Sequence, residues 1–178
     1  MKPTHEMVLF DLMVIAGAPG SGKTTVADLL HATLKSPYVD FGYIREFHLD
    51  RDWLDESARE EQMSFENLVY IIKNYIRYGY KNIIVTDLQD FRVQQIPKLF
   101  AEHNYLIATM VIESNAELAL RIRNRNDGFR DVERALAWNK QVRERPLLVG
   151  ERKIDNTHDE PERTLNVILE IAREIESL

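Results

Sequence analysis

The chain has 178 residues, 44% of them hydrophobic and 29% charged. This suits one soluble domain with a sizeable core, and no apolar run approaches the roughly 20 residues of a membrane helix. The chain has no cysteine, which excludes a disulfide framework and thiolate metal sites and is compatible with a reducing, cytoplasmic setting. The net charge of −6 argues against nucleic acid as the partner, because such binding draws on basic residues.

The elements follow in chain order. In "MKPTHEMVLFDLM", Glu6 and Asp11 interrupt any signal-peptide run. Leu12–Ala16 is a continuous apolar run closed by Gly17, as a buried parallel strand should be. Val26, Leu29, Leu30 and Leu34 then repeat at helical spacing, and Pro37–Asp40 reads as a short second strand. Leu68, Ile71, Ile72, Tyr75 and Ile76 form a helical stripe within Ser64–Tyr78, with Gly79 as its C-terminal cap. Asn82–Asp87 is a third strand, and Asp90 is expected to cap a helix that carries Ile96, Leu99 and Phe100. Tyr105–Glu113 is a fourth strand. Residues 116–122 alternate partly like a strand but read as helix, because strand alternates with helix elsewhere. Ile154 marks a fifth strand, and Leu165, Ile168, Leu169 and Ala172 line the last helix. Such alternation predicts a parallel sheet covered on both faces, with ligands beyond the carboxyl ends of its strands.

Charge is segregated along the chain. Residues 50–66 hold seven acids (Asp50, Asp52, Asp55, Glu56, Glu60, Glu61, Glu66) against two arginines. Residues 121–145 hold seven arginines and Lys140 against four acids. Solvated helical faces account for most of such charges. The five histidines fit no metal spacing.

The sharpest signal is Gly17-Ala18-Pro19-Gly20-Ser21-Gly22-Lys23-Thr24, followed by Thr25, between an apolar strand and an amphipathic helix. The pattern G-x-x-x-x-G-K-[ST] in that context cradles phosphates. Its glycines let the backbone wrap with N–H groups pointing inward, and the helix adds its positive end. Lys23 can reach the β- and γ-phosphates, and the Thr24 hydroxyl can ligate Mg2+. A companion acid for the metal is expected at a neighbouring strand end. Asp87 is the choice and Asp40 the competitor.

Four further stretches extend the pattern: "YVDFGYIRE", "IIVTDLQDFR", "ELALRIRNRNDGFR" and "KIDNTHDEPERTLNVILEIA". With "GAPGSGKTT" they resemble, in order, the P-loop kinases of the nucleoside monophosphate kinase-like group, which includes adenylate-, cytidylate-, shikimate- and gluconate-kinase-like proteins. The resemblance implies a three-layer α/β P-loop NTPase fold with a five-stranded parallel sheet and a short arginine-rich lid. It implies one kinase domain over 1–178, an acceptor-binding helical segment at about 43–78 and a lid at about 123–146. ATP and Mg2+ are the implied cofactors and a small-molecule acceptor the implied partner, in a monomer or homodimer.

On that resemblance Arg121 and Arg125 are lid cations that stabilise the transferring phosphoryl group, with Arg130 next in line. Arg45 grips the acceptor, and Arg92 is placed to contact an acceptor phosphate. Asp40 binds an acceptor hydroxyl or acts as its base. Asn156 and Thr157 lie in the loop that passes the adenine, and Trp138 and Phe129 pack in the core or lid. The chain departs from the group in lacking the Gly and Pro of the third segment, and in the acids of 50–66, which disfavour an anionic acceptor unless they face solvent. The acceptor is therefore read as a nucleotide or nucleoside, with a sugar-like or other small hydroxyl compound as the alternative. A GTPase switch lacks its guanine-reading motif, because Asn139-Lys140 is followed by Gln141-Val142. A nucleotide-binding protein without transfer activity is the remaining alternative.

Overall fold

A computed structural model describes residues 10–48, 57–126 and 128–176. The predicted acids Asp50, Asp52, Asp55 and Glu56, and Asp127 of the basic segment, lie outside the described residues.

Strands β1 (Leu12–Gly17), β2 (Tyr38–Asp40), β3 (Ile83–Thr86), β4 (Tyr105–Val111) and β5 (Glu151–Asp155) form one parallel sheet in the order β2-β3-β1-β4-β5. Every strand is linked to the next through at least one helix, as parallel pairing requires. β1 is central and wholly buried, which is why its run is apolar without alternation.

Two cores flank the sheet. On one side α1 (Lys23–Leu34) and α8 (Pro161–Glu176) bury Val26, Leu30, Ile168 and Ala172 against Met13, Ile15 and Met110. On the other, α2 (Phe41–Arg45), α3 (Ala58–Arg77), α4 (Asp90–Val93) and α5 (Ile96–Leu99) bury Phe41, Phe65, Leu68, Ile72 and Val93 against Leu12, Val14 and Val85. A third cluster joins α6 (Asn115–Arg123) to α7 (Val132–Glu144) through Leu118, Ile122 and Ala135.

Three local expectations are corrected. The long helix begins at Ala58, ahead of the expected start at Ser64, because Ser57 and Glu60 form a reciprocal capping box. The segment after the third strand is two short helices, the second carrying a proline in its first turn. Asp90 is not a cap: Gln89 holds that position. Asp90 instead accepts from Arg145 Nε (3.0 and 3.1 Å) and Gln94 Nε2 (2.8 Å).

Arg145 also donates to both oxygens of Glu151 at 2.7 Å. Glu151 is buried, and these donors with Thr109 and the Leu148 N–H lower its pKa against the opposing effect of burial. The arginine thus ties the end of α7 to α4 and β5. Among the described residues no helix is long and apolar enough to cross a membrane.

Candidate active site

Three adjacent strand ends converge on one place. β1 ends at Gly17, β2 at Asp40 and β3 at Thr86, with Asp40 paired in register to Thr86. This is the crevice beside the central strand where open α/β sheets take ligands.

The loop 17–22 closes tightly onto its neighbours. A Cβ on Gly22 would lie 2.7 Å from Asn156 Nδ2, and one on Gly20 would lie 2.9 Å from Leu118 and Ile122. Gly22 sits at φ 94° immediately before α1, whose first turn holds no acid and whose N-cap offers no side-chain acceptor. The first N–H groups of a 12-residue helix therefore face the loop with their positive end uncompensated. Ser21 Oγ is buried and has no hydrogen-bond partner among the described residues. These are the donors an anionic phosphate chain would satisfy, so the residues fit a nucleotide triphosphate.

Lys23 Nζ donates to the Ala18 carbonyl at 2.9 Å, across the loop. Desolvation pulls its pKa down from 10.5 to about 8; Asp87 and Asp40 oppose that shift and Arg125 adds to it. A lowered pKa on a lysine means the folded state disfavours the charged form. That cost is fully present below pH 8 and is relieved as pH rises toward 10.5. A triphosphate reverses the preference, so binding above pH 8 takes up a proton. The apparent affinity for ATP is expected to fall with rising pH above about 8, approaching about tenfold per unit. Calorimetry in buffers of different ionisation heat checks the proton count.

The two candidate acids sit together. Asp40 Oδ1 accepts from Gly42 N at 2.8 Å and so caps α2, while Oδ2 accepts from Thr86 Oγ1 at 3.2 Å. The Tyr38 hydroxyl lies 3.0 Å from the same Thr86 oxygen. Thr86 has one hydroxyl proton; when Asp40 takes it, Tyr38 is the donor to Thr86. Burial raises the Tyr38 pKa to about 12, which keeps that proton in place. Asp87 follows at φ 64°, a conformation few non-glycine residues adopt and one concentrated at functional sites. Desolvation and the Asp40 charge raise its pKa, while Lys23, Arg45 and Arg125 lower it. Two mutually repelling carboxylates beside a phosphate loop fit a divalent cation. Among the described residues no group of three His, Cys, Asp or Glu could hold one alone, as expected where magnesium keeps waters and phosphate oxygens as ligands.

The predicted arginines divide. Arg45 is buried on α2, its guanidinium 5.8 Å from the Phe41 ring centroid, and it acts on Asp87. Arg125 is exposed in the loop after α6 and acts on both Lys23 and Asp87. Arg130 is exposed and donates to the Asn126 carbonyl. Arg121 turns away from these. It pairs with Glu117 (2.8 Å) and donates to the carbonyls of Asn156 (3.1 Å) and Thr157 (2.7 Å).

Asn156 is buried. Its Nδ2 donates to the Ser21 carbonyl at 2.7 Å and its Oδ1 accepts from Thr164. Beside it a cavity of about 390 Å³ opens between Gly22, Thr25, Arg121, Thr157 and His158. It adjoins the phosphate loop and has room for a base. Arg92 is buried against Glu61 rather than open to the site. Trp138 is half-buried, and Phe129 packs on the α6–α7 cluster.

Two partners were not legible in the sequence. Thr86 reaches Asp40 only because β2 lies beside β3, and Glu61 reaches Arg92 across 31 residues.

The AAA domain family matches residues 13–136, most of the chain. The chain belongs to that family. Its fold is that of the P-loop kinases of the nucleoside monophosphate kinase-like group. A sugar kinase of a Janibacter species superposes with a TM-score of 0.66 at 15% identity, over 89% of this chain and 92% of that one. A gluconokinase of Sinorhizobium meliloti gives 0.65 at 13% identity over 92% and 94%. The thymidylate kinase of Candida albicans gives 0.61 at 13% identity over 93% and 92%. These identities bear on the fold alone, and the three names cover different acceptors. No curated protein matches the chain in sequence.

Proposed function

We propose that this P-loop protein is an ATP-dependent small-molecule kinase, transferring the γ-phosphoryl group to a nucleotide or nucleoside acceptor. The observation that carries it is the convergence of Lys23, Asp87, Asp40 and Arg45 at three neighbouring strand ends, with Arg125 acting on the same groups. Bound there, Mg–ATP supplies the phosphoryl group: an O–P bond forms to the acceptor oxygen as the bond to the β,γ-bridging oxygen breaks and ADP departs.

Each residue then has a task. The loop 17–22, Lys23, Thr24 and Thr25 hold the phosphates, and the cavity beside Arg121 and Asn156 takes the base. Arg121 does so as a positioning residue, because its guanidinium fixes the backbone of that loop. Thr24 and Asp87 hold the metal. Asp40, oriented by Gly42 and Thr86, takes the proton of the acceptor hydroxyl. Arg45 orients the acceptor.

We place the lid at the loop residues that carry Arg125 and Arg130, shorter than the 123–146 expected. Asn139 pins α7 by accepting from Ile112 N (3.0 Å) and donating to Ile112 O (2.7 Å), so that helix is part of the scaffold. Arg125 and Arg130 are the lid cations that close over the transferring group and exclude water.

The test is ADP release from ATP and Mg2+ with a panel of nucleosides, their monophosphates and sugars, using Lys23→Ala as the blank. Stimulation by one class establishes the kinase. ATP-dependent stabilisation without any stimulation returns the protein to a nucleotide-binding role. Arg45→Ala is expected to raise the KM of the acceptor about tenfold or more while changing that of ATP less than threefold. Equal losses for both substrates would make Arg45 a packing residue. A kinase for a sugar-like acceptor is the second reading, favoured by the neutralisation of Arg92.

A further inference from the structure

Arg92 stands in the segment after the metal-side strand, where a cation for an acceptor phosphate is expected. Four of its five N–H donors are already committed. Nε donates to Glu61 Oε1 at 3.0 Å and Nη2 to Glu61 Oε2, a two-pronged ion pair. Nη2 also donates to Gln62 Oε1 at 2.8 Å, and Nη1 to Gln95 Oε1 at 3.3 Å. The guanidinium lies 4.4 Å from the Phe65 ring centroid and 4.8 Å from that of Phe91, and the residue is 5% exposed. A fork already matched to a carboxylate gains little from exchanging it for a phosphate.

The same aromatic platform carries the second acceptor-side cation. Phe65 meets Phe41 edge-on at 6.1 Å, and Arg45 lies over Phe41. Arg45 acts in turn on Asp87, which stands beside Asp40. Of the two guanidiniums of this platform, that of Arg92 is paired with Glu61 and that of Arg45 acts on Asp87. A phosphomonoester brings nearly two negative charges at pH 7. It would meet an Arg92 already paired with Glu61, with the carboxylates of Asp40 and Asp87 nearby, and like-charge juxtaposition is costly. An uncharged alcohol meets no such penalty and suits a carboxylate base, whereas a phosphate acceptor is already ionised and needs none.

We propose that Glu61 is a specificity-determining residue: by occupying Arg92 it restricts the acceptor to an uncharged hydroxyl compound, a nucleoside, sugar or other polyol, and excludes phosphomonoesters. This rests on the kinase reading and narrows its acceptor class.

Two measurements test it. In the first, wild-type ADP release is compared for each nucleoside or sugar and its own monophosphate; the unphosphorylated member is expected to win by at least about tenfold in kcat/KM. A monophosphate that works as well or better overturns the proposal and leaves the kinase reading standing. In the second, inorganic phosphate is titrated into protein saturated with magnesium and a non-hydrolysable ATP analogue, so that the phosphate loop is filled. Wild type should bind it weakly, Glu61→Gln about tenfold more tightly, and Glu61→Gln/Arg92→Ala no better than wild type. Tight phosphate binding by wild type, or no gain in a Glu61→Gln protein that melts cooperatively, overturns it. If that variant does not fold, the wild-type titration and the paired acceptors still decide. If no acceptor stimulates ADP release the kinase reading fails, and the phosphate titration separately decides whether Glu61 withholds Arg92.

Discussion

Lys23→Ala is expected to lower acceptor-stimulated ADP release by about 10²–10³-fold, the usual cost of losing one donor aimed at developing charge. The lysine is held across the loop by the Ala18 carbonyl, 2.9 Å away, so it is already placed before any phosphate arrives. Its loss removes the loop's own cation and leaves Arg45 and Arg125 acting on the neighbouring Asp87. The fold should not suffer. Desolvation makes the charged lysine unfavourable in the protein below pH 8, so without ATP the variant should melt at or above the wild-type temperature. It should also lose the decline of ATP affinity above pH 8. A melting temperature unchanged by ATP, together with lost turnover, identifies a phosphate-binding role. An undiminished rate would sink the assignment of the site.

Gly17→Ala is expected to cost about 2–4 kcal/mol of stability, lowering Tm by roughly 5–15 °C, and to abolish protection by ATP. Two independent costs combine there. Gly17 has φ 134°, where side chains are strained, and a Cβ would lie 2.4 Å from the Met110 carbonyl oxygen and 2.7 Å from Ser21 Oγ. Gly17 and Met110 are register partners at the end of the β1–β4 ladder. The clash is with backbone, and relieving it means parting the strands where the phosphate loop departs. Gly79→Ala is the control. Gly79 has φ 84° but nothing within 4 Å of an added Cβ, so only backbone strain of about 1 kcal/mol applies. Equal melting temperatures for the two variants would show that the loop tolerates the contact.

Much of the architecture is legible in the residues alone. β1 is apolar throughout because it is central, and the stripes of α1, α3 and α8 repeat at the helical period because each buries one face. The phosphate loop is legible because its chemistry is local: glycines, a lysine and a hydroxyl within eight residues need only a strand before them and a helix after. The errors lie where a partner is distant. Asp90 follows a strand and precedes a helix, as a cap should, yet Arg145, 55 residues away, claims its carboxylate. The basic run 121–145 looks like one lid, but its arginines go to separate tasks. Arg121 holds the loop at Asn156, Arg145 the α4–β5 junction, and Arg125 the charge field at Lys23.

By itself the sequence determined the alternation of strand and helix, the phosphate loop and the sign of the charge on each segment, because these depend on neighbours within a few positions. Tertiary structure decided which charges meet. It set Asp40 beside Asp87 through the β2-β3-β1 order and turned Glu61 inward to Arg92 while leaving Glu66 exposed on the same helix. An exposed ion pair is worth little, whereas a buried charge left without its partner is costly. Whether a carboxylate repels an acceptor, caps a helix or silences an arginine is therefore settled by what the fold buries around it.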